Sequence, residues 1–295
     1  MNHSVVLYST AISGAVVLYA LLGVLRWKSR RAQRRNPLTQ NLLRSPGHTL
    51  RTDIEDLSLD ISSDAVIVMI LPCLGALAVS IISQHGGGRW TYSTLALVLA
   101  GMLTFVVARL VRNLGRRNRW HLGLDAELAT GEELNQLMLR GCRVFHDVPA
   151  DRFNIDHVVI GPRGVYAVET KGRAKPRRGL GRDGAAVTYD GERLLFPGWE
   201  EREPLEQARR QAAWLRSWLT SAVGEPVTVH AALALPGWYV DRKAPGPPIV
   251  FNPKNATFLA EPAGDKELSG SFIQRIAHQI EQRCRDVAPH ALRHS

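Results

Sequence analysis

Four residues in the C-terminal half of the chain carry side chains suited to chemistry: Asp156, Glu169, Lys171 and, further upstream, Glu127. The first three fall on a strand-like pair of runs. Asn154 to Ile160 is rich in β-branched residues, Gly161-Pro-Arg-Gly164 is a turn by composition, and Val165 to Lys171 is the return strand. Symmetric pairing about that turn sets Ile160 against Val165, Val159 against Tyr166, Val158 against Ala167, His157 against Val168 and Asp156 against Glu169. Two carboxylates then face each other across the ribbon, with Cβ atoms roughly 4.5–5.5 Å apart. Like charges so placed destabilise a sheet unless something offsets them, and a divalent cation with oxygen ligands would do so. Lys171 projects from the same face, because strand side chains alternate with period two. Two readings stand side by side: a metal-holding patch of two acids and an ammonium, or a structural ion pair between Lys171 and the acids.

The elements that must position this patch follow from pattern. His121 to Arg140 reads as a helix with Glu127, Gly131, Leu134 and Met138 on one stripe, so Glu127 either reaches solvent at the stripe's margin or needs a partner. Cys142 to Val148 reads as a strand, Glu206 to Thr220 as an amphipathic helix with Trp214 and Trp218 toward the core, and Val227 to Leu235 and Pro247 to Asn252 as strands. Gly270 to Arg285 is a terminal helix. His146, His157 and His230 are read as structural. Directly after the patch, Gly172 to Arg182 holds Arg173, Lys175, Arg177, Arg178 and Arg182. Such a loop suits a phosphate backbone, anionic lipid or plain solvent.

The N-terminal half has a different character. Val5 to Leu25 is an uncharged run of 21 residues, long enough to cross a hydrocarbon core. A second run spans Ala65 to Ser83, broken only by Pro72, and a third spans Tyr92 to Val111. Much of the net charge of +10 flanks these runs: eight basic residues lie between Arg26 and Arg51 and five between Arg109 and Arg119. Both clusters put the N-terminus outside and the C-terminal domain in the cytoplasm, and both suit anionic lipid headgroups. No span carries an ionisable residue in its middle, which argues for an anchor over a transport path. Cys73, Cys142 and Cys284 lack metal-ligand spacing and indicate no disulfide framework. The expected layout is a first transmembrane helix in 1–27, a basic and polar loop in 28–64 that is partly ordered, a helical hairpin in 65–112 (65–83 and 92–111), and a soluble domain in 113–295.

The ordered motifs Gly123-Leu-Asp-Ala-Glu127, Phe145-His-Asp-Val148, Ile155-Asp-His157, Gly161-Pro-Arg-Gly-Val165, Val168-Glu-Thr-Lys171 and Pro204-Leu-Glu-Gln207 resemble the nuclease-related domain (NERD) family. Asp156 with Glu169-Thr-Lys171 also resembles the PD-(D/E)XK nuclease signature. The likeness covers about Leu122 to Leu235. It departs at Ala126, where the family commonly has Gly, and at Gly172, where it has Asn or a similar polar residue.

The resemblance implies an α/β fold, a restriction-endonuclease-like mixed sheet flanked by helices, preceded here by three transmembrane helices. It implies Mg2+ (or Mn2+) held by Asp156, Glu169, the Thr170 carbonyl and Glu127, with Lys171 acting on the attacking water and Gln207 aimed at the site. The expected activity is metal-dependent hydrolysis of DNA phosphodiester bonds at a cell membrane, with Arg173, Lys175, Arg177, Arg178 and Arg182 contacting nucleic acid. The rival expectation is a catalytically silent module of nuclease fold that binds nucleic acid or a partner protein at the membrane. A third is a membrane organiser whose basic segments bind lipid. Oligomeric state is open.

Overall fold

The computed structural model describes residues 42–176, 183–261 and 267–285. The expected first span, the basic residues that follow it, and Arg177, Arg178 and Arg182 lie outside the described residues. By its internal contacts the described chain divides into two units, 60–112 and 42–59 with 113–285.

Two long helices, α1 (His48–Gln84) and α2 (Arg89–Asn135), supply the first unit. Both are long and apolar enough to cross a membrane, and little of either apolar stretch is buried by protein. A helix that is apolar all round needs an apolar surround, so the chain reads as a multi-pass membrane protein with two spans among the described residues. A polar pair joins the helices inside this unit. Asp64 is fully buried, and Arg109 Nε donates to both of its carboxylate oxygens at 2.9 Å while Nη2 donates to Oδ1. Such a fork holds a carboxylate that would be costly to bury alone.

The helices are longer than the hydrophobic runs. Residues 48–64, expected as part of a loosely ordered connector, are helical, with Ile54, Leu57 and Ile61 recurring at helical spacing. The third hydrophobic run and the helix expected at 121–140 are one element, which ends in a 3-10 turn over Gln136–Arg140 capped by left-handed Gly141.

The second unit is built on a mixed five-stranded sheet flanked by helices. Its strands are β1 (Arg143–Pro149), β2 (Asn154–Gly161), β3 (Gly164–Thr170), β7 (Val229–Ala234) and β9 (Ile249–Phe251), in the order β1-β2-β3-β7-β9. The first three are antiparallel and the last three parallel. A helix, α3 (Glu203–Val223), connects β3 to β7 and covers one face together with α4 (Gly270–Cys284). Leu215, Leu219, Ile276 and Ile280 are fully buried there, each contributing about 1.5–3 kcal/mol by leaving water. Trp214 and Trp218 pack against this core and stack on each other, with Arg283 over both rings. The opposite face meets Leu134, Leu137 and the 3-10 segment Pro253–Ala260.

A second sheet lies between β3 and α3 in sequence: β4 (Ala186–Tyr189), β5 (Leu194–Phe196), β6 (Trp199–Glu201) and the later β8 (Tyr239–Arg242), ordered β6-β5-β4-β8. Its strands of three and four residues are too short for alternation to show in the sequence.

Residues 42–59 belong to this unit because Asp147 holds them. Asp147 adopts φ 48°, the one left-handed non-glycine residue among those described. Its Oδ2 accepts from Arg44 Nη1 at 2.9 Å, Thr49 Oγ1 at 2.7 Å and the Thr49 backbone N–H at 3.2 Å, while Oδ1 accepts from Asn154 Nδ2 at 3.2 Å. Removing this buried acceptor takes a carboxylate from Arg44 and Thr49. We expect Asp147→Ala to destabilise the detergent-solubilised full chain by about 3 kcal/mol and to open residues 42–48 to limited proteolysis. Asp147→Asn, which keeps an acceptor and tolerates the backbone, should cost less. Unchanged melting and cleavage in Asp147→Ala would remove the clamp from the account.

Candidate functional site

The β2–β3 ribbon forms in the register that the turn demands: His157 pairs with Val168, Val158 with Ala167, Val159 with Tyr166 and Ile160 with Val165. The ladder stops one pair short of the acids. Asp156 Oδ2 instead accepts from the Thr170 backbone N–H at 2.7 Å, which takes the place of a strand hydrogen bond.

Glu169 is buried and doubly engaged. Its Oε1 lies 2.6 Å from Lys171 Nζ, and its Oε2 accepts from Gln211 Nε2 at 2.6 Å. Lys171 Nζ also donates to Gln207 Oε1 at 2.9 Å. The helix α3 supplies both amides because positions four apart share a face, and that face packs on the sheet. Gln207 thus holds the lysine, while Gln211 holds the acid. Sequence reasoning missed Gln211; its signal was its place one turn after Gln207 on an amphipathic helix.

Burial sets the electrostatics. It pushes the Asp156 carboxyl well above the usual range, reinforced by Glu169 and Glu127 and opposed by the Thr170 N–H and Lys171. The Glu127 carboxyl, reaching in from α2, is pushed up to about 7 by burial, then by Asp147 and Glu169, against the pull of Lys171. Burial also raises Glu169, although Lys171 and Gln211 pull it down. For Lys171 burial acts downward, but Glu169, Asp156 and Glu203 outweigh it and the ammonium is held above its ordinary value. The cluster is therefore an ion pair of Glu169 and Lys171 beside an Asp156 carboxyl of raised proton affinity and a Glu127 carboxyl that titrates at about 7.

This corrects the expectation of a bound Mg2+ or Mn2+. Among the described residues no group of three or more His, Cys, Asp or Glu is arranged to hold a metal ion. Burial and mutual repulsion raise the proton affinity of Asp156 and Glu127, and Lys171 pairs with Glu169. The Thr170 backbone N–H donates to Asp156.

The basic segment behind the patch is partly engaged. Arg173 forks onto Glu201, with Nε to Oε1 at 2.8 Å and Nη2 to Oε2 at 2.6 Å. Lys175 Nζ lies over the Trp238 ring, 5.9 Å from its centroid. Gly172 is where the chain leaves β3 against α2. A Cβ there would meet the Leu122 carbonyl oxygen at 2.5 Å and the Ala126 methyl at 3.0 Å, so a larger residue has no room.

The histidines lie apart from the acids. His146 and His157 pair through their Nδ1 atoms at 2.9 Å, and His146 Nε2 meets Asn135 Oδ1 at 3.0 Å. The Asn135 oxygen requires a proton on His146 Nε2, so His157 Nδ1 donates to His146 and His157 Nε2 is a buried acceptor that lacks a partner among the described residues. Burial holds His146 down to about 4 and His157 well below the usual imidazole range. His230 stacks on Tyr166.

The model of the nuclease-related domain (NERD) matches residues 122–236, 115 of the chain's 295, a stretch that contains every residue of the cluster. No curated protein and no solved structure matches the chain.

The Glu127 shift sets a direction for stability. The folded state keeps this proton up to about pH 7, whereas the unfolded chain releases it near 4.5. The folded state therefore binds more protons in that window, and the contribution is full below 4.5 and lost as pH rises through 7. We expect Glu127→Gln to be more stable than wild type at pH 8 by on the order of 2 kcal/mol, with a flatter stability profile across the window, measured by denaturant unfolding of the full chain in detergent. A variant less stable than wild type at pH 8 would mean that the charged carboxylate is the form the fold requires.

Proposed function

We propose that this chain is a membrane-anchored module of nuclease-related fold that binds nucleic acid without cleaving it in a metal-dependent reaction. The observation that carries the reading is the neutralised cluster: Glu169 is paired with Lys171, and Asp156 and Glu127 are shifted toward their protonated forms. Three ionised carboxylates would repel a phosphate backbone, but protonated carboxyls beside a retained ammonium do not. The basic residues that follow Lys171 in sequence support a polyanionic partner. Arg173, held by Glu201, would shape that surface, leaving Lys175, Arg177, Arg178 and Arg182 for phosphates. The basic residues flanking the hydrophobic runs support a cytoplasmic placement of the domain, where a tether would limit it to nucleic acid near the bilayer.

The test uses the full chain in zwitterionic nanodiscs, with labelled DNA read by fluorescence anisotropy. Binding should survive chelator, weaken steeply with salt, and fall as pH rises from about 6 to about 8 while Glu127 ionises. Glu127→Gln should flatten that fall. Incubation with Mg2+ or Mn2+ should leave the DNA intact. Metal-dependent cleavage that disappears in Lys171→Ala would overturn the reading, as would no binding at low salt. A fragment starting at residue 113 is unsuitable, because Asp147 would lose Arg44 and Thr49.

A further inference from the structure

The second unit has a cavity that the acid cluster does not use. It measures about 350 Å3 and lies between β8 and β9, the edge strands of the two sheets. Its walls are aromatic. Trp238 and Phe251 are buried, Phe258 packs edge-on against Phe251 at 5.4 Å, and Tyr239 stands at the rim, 70% exposed. Two polar side chains complete the lining without a partner among the described residues, the guanidinium of Arg242 and the exposed amide of Asn255. No carboxylate lines the cavity, and Asp241, the acid of β8, is held by Lys243 at 2.8 Å.

The cavity adjoins the basic segment through one residue. Trp238 Nε1 donates to the Arg173 carbonyl at 3.2 Å, and Lys175 lies over its ring. Aromatic walls select a flat apolar ring, a free amide at the rim suits the heteroatoms of such a ring, and an unpaired guanidinium with no acid in the lining selects a ligand carrying negative charge. The volume falls in the range of small-ligand sites. A nucleotide combines all these properties. An extended peptide would find only the short edges of β8 and β9, four and three residues long, to pair with, and nothing in the lining favours its neutral backbone over an anion.

We propose that this cavity takes an unpaired base of a single-stranded nucleic acid, with Tyr239 stacked on the base and Arg242 and Lys175 meeting the flanking phosphates. The proposal rests on the nucleic-acid reading above and adds strandedness and a place. A duplex hides its base faces, so discrimination follows from stacking.

Two measurements on the full chain in zwitterionic nanodiscs, with chelator present, separate the two readings. In the first, anisotropy compares a labelled single strand with a duplex of the same sequence. Tyr239→Ala should weaken single-strand binding by roughly tenfold and duplex binding by less than about twofold, with Tyr239→Phe close to wild type. Arg242→Ala should weaken single-strand binding and reduce its salt dependence by about one phosphate contact. In the second, saturation-transfer NMR with thymidine monophosphate should label the base protons, and Tyr239→Ala should abolish the transfer. Both positions are exposed, so the variants should fold. If wild type binds the single strand and neither variant weakens it, the cavity proposal falls and the broader reading stands. If DNA does not bind but the mononucleotide is held by Tyr239, the cavity's ligand class stands and the broader reading falls. A silent mononucleotide alongside saturable binding of a hydrophobic oligopeptide would overturn the proposal.

Discussion

Placing carboxyl groups on the covered face of a sheet is the constraint to which the second unit is organised. Water solvates an ionised carboxylate far better than a protein interior does, so each buried acid needs a partner or keeps its proton. Here each does one or the other. Glu169 takes Lys171 and Gln211, Asp156 takes a peptide N–H and a high proton affinity, and Glu127 titrates near neutrality. These solutions dictate neighbouring structure. The helix α3 must lie over β3 closely enough for two glutamines to reach, and α2 must approach the end of β3 so nearly that residue 172 has no space for a side chain.

What was legible in the sequence follows from how local each cause was. The ribbon register was readable because a compact turn and a two-residue period fix it, and four of the five expected pairs form. The gathering of Asp156, Glu169 and Lys171 on one face was readable for the same reason. Gln207 came with the family motif, but its contact with Lys171 and the role of Gln211 depend on where a helix is laid after some thirty residues of intervening chain. The metal was the wrong remedy for a real problem. Spacing reveals that like charges meet, whereas burial decides whether a proton or an ion relieves them. The helical start of α1 was missed because its acids, Asp53, Glu55 and Asp56, suggested a solvated loop while the stripe of Ile54, Leu57 and Ile61 went uncounted. The Asp147 clamp on Arg44 and Thr49, 103 and 98 residues away in sequence, left no local trace.

Ala126 and Gly172 touch: a Cβ built on Gly172 would sit 3.0 Å from the Ala126 methyl. This close approach of helix and strand end leaves the position directly after Lys171 without a side chain.

A buried ionic group is weak evidence for stability, because apolar residues of similar volume often serve a fold as well or better. A sheet needing only cohesion would have no use for acids at 127, 156 and 169. Their place beside a lysine gives the cluster a charge that protons can tune: near pH 7, Glu127 divides between its two forms, so the charge changes over a small change in acidity. A divalent ion would fix that charge. A proton leaves it adjustable, and how deeply the fold buries Glu127 sets the pH at which the charge changes.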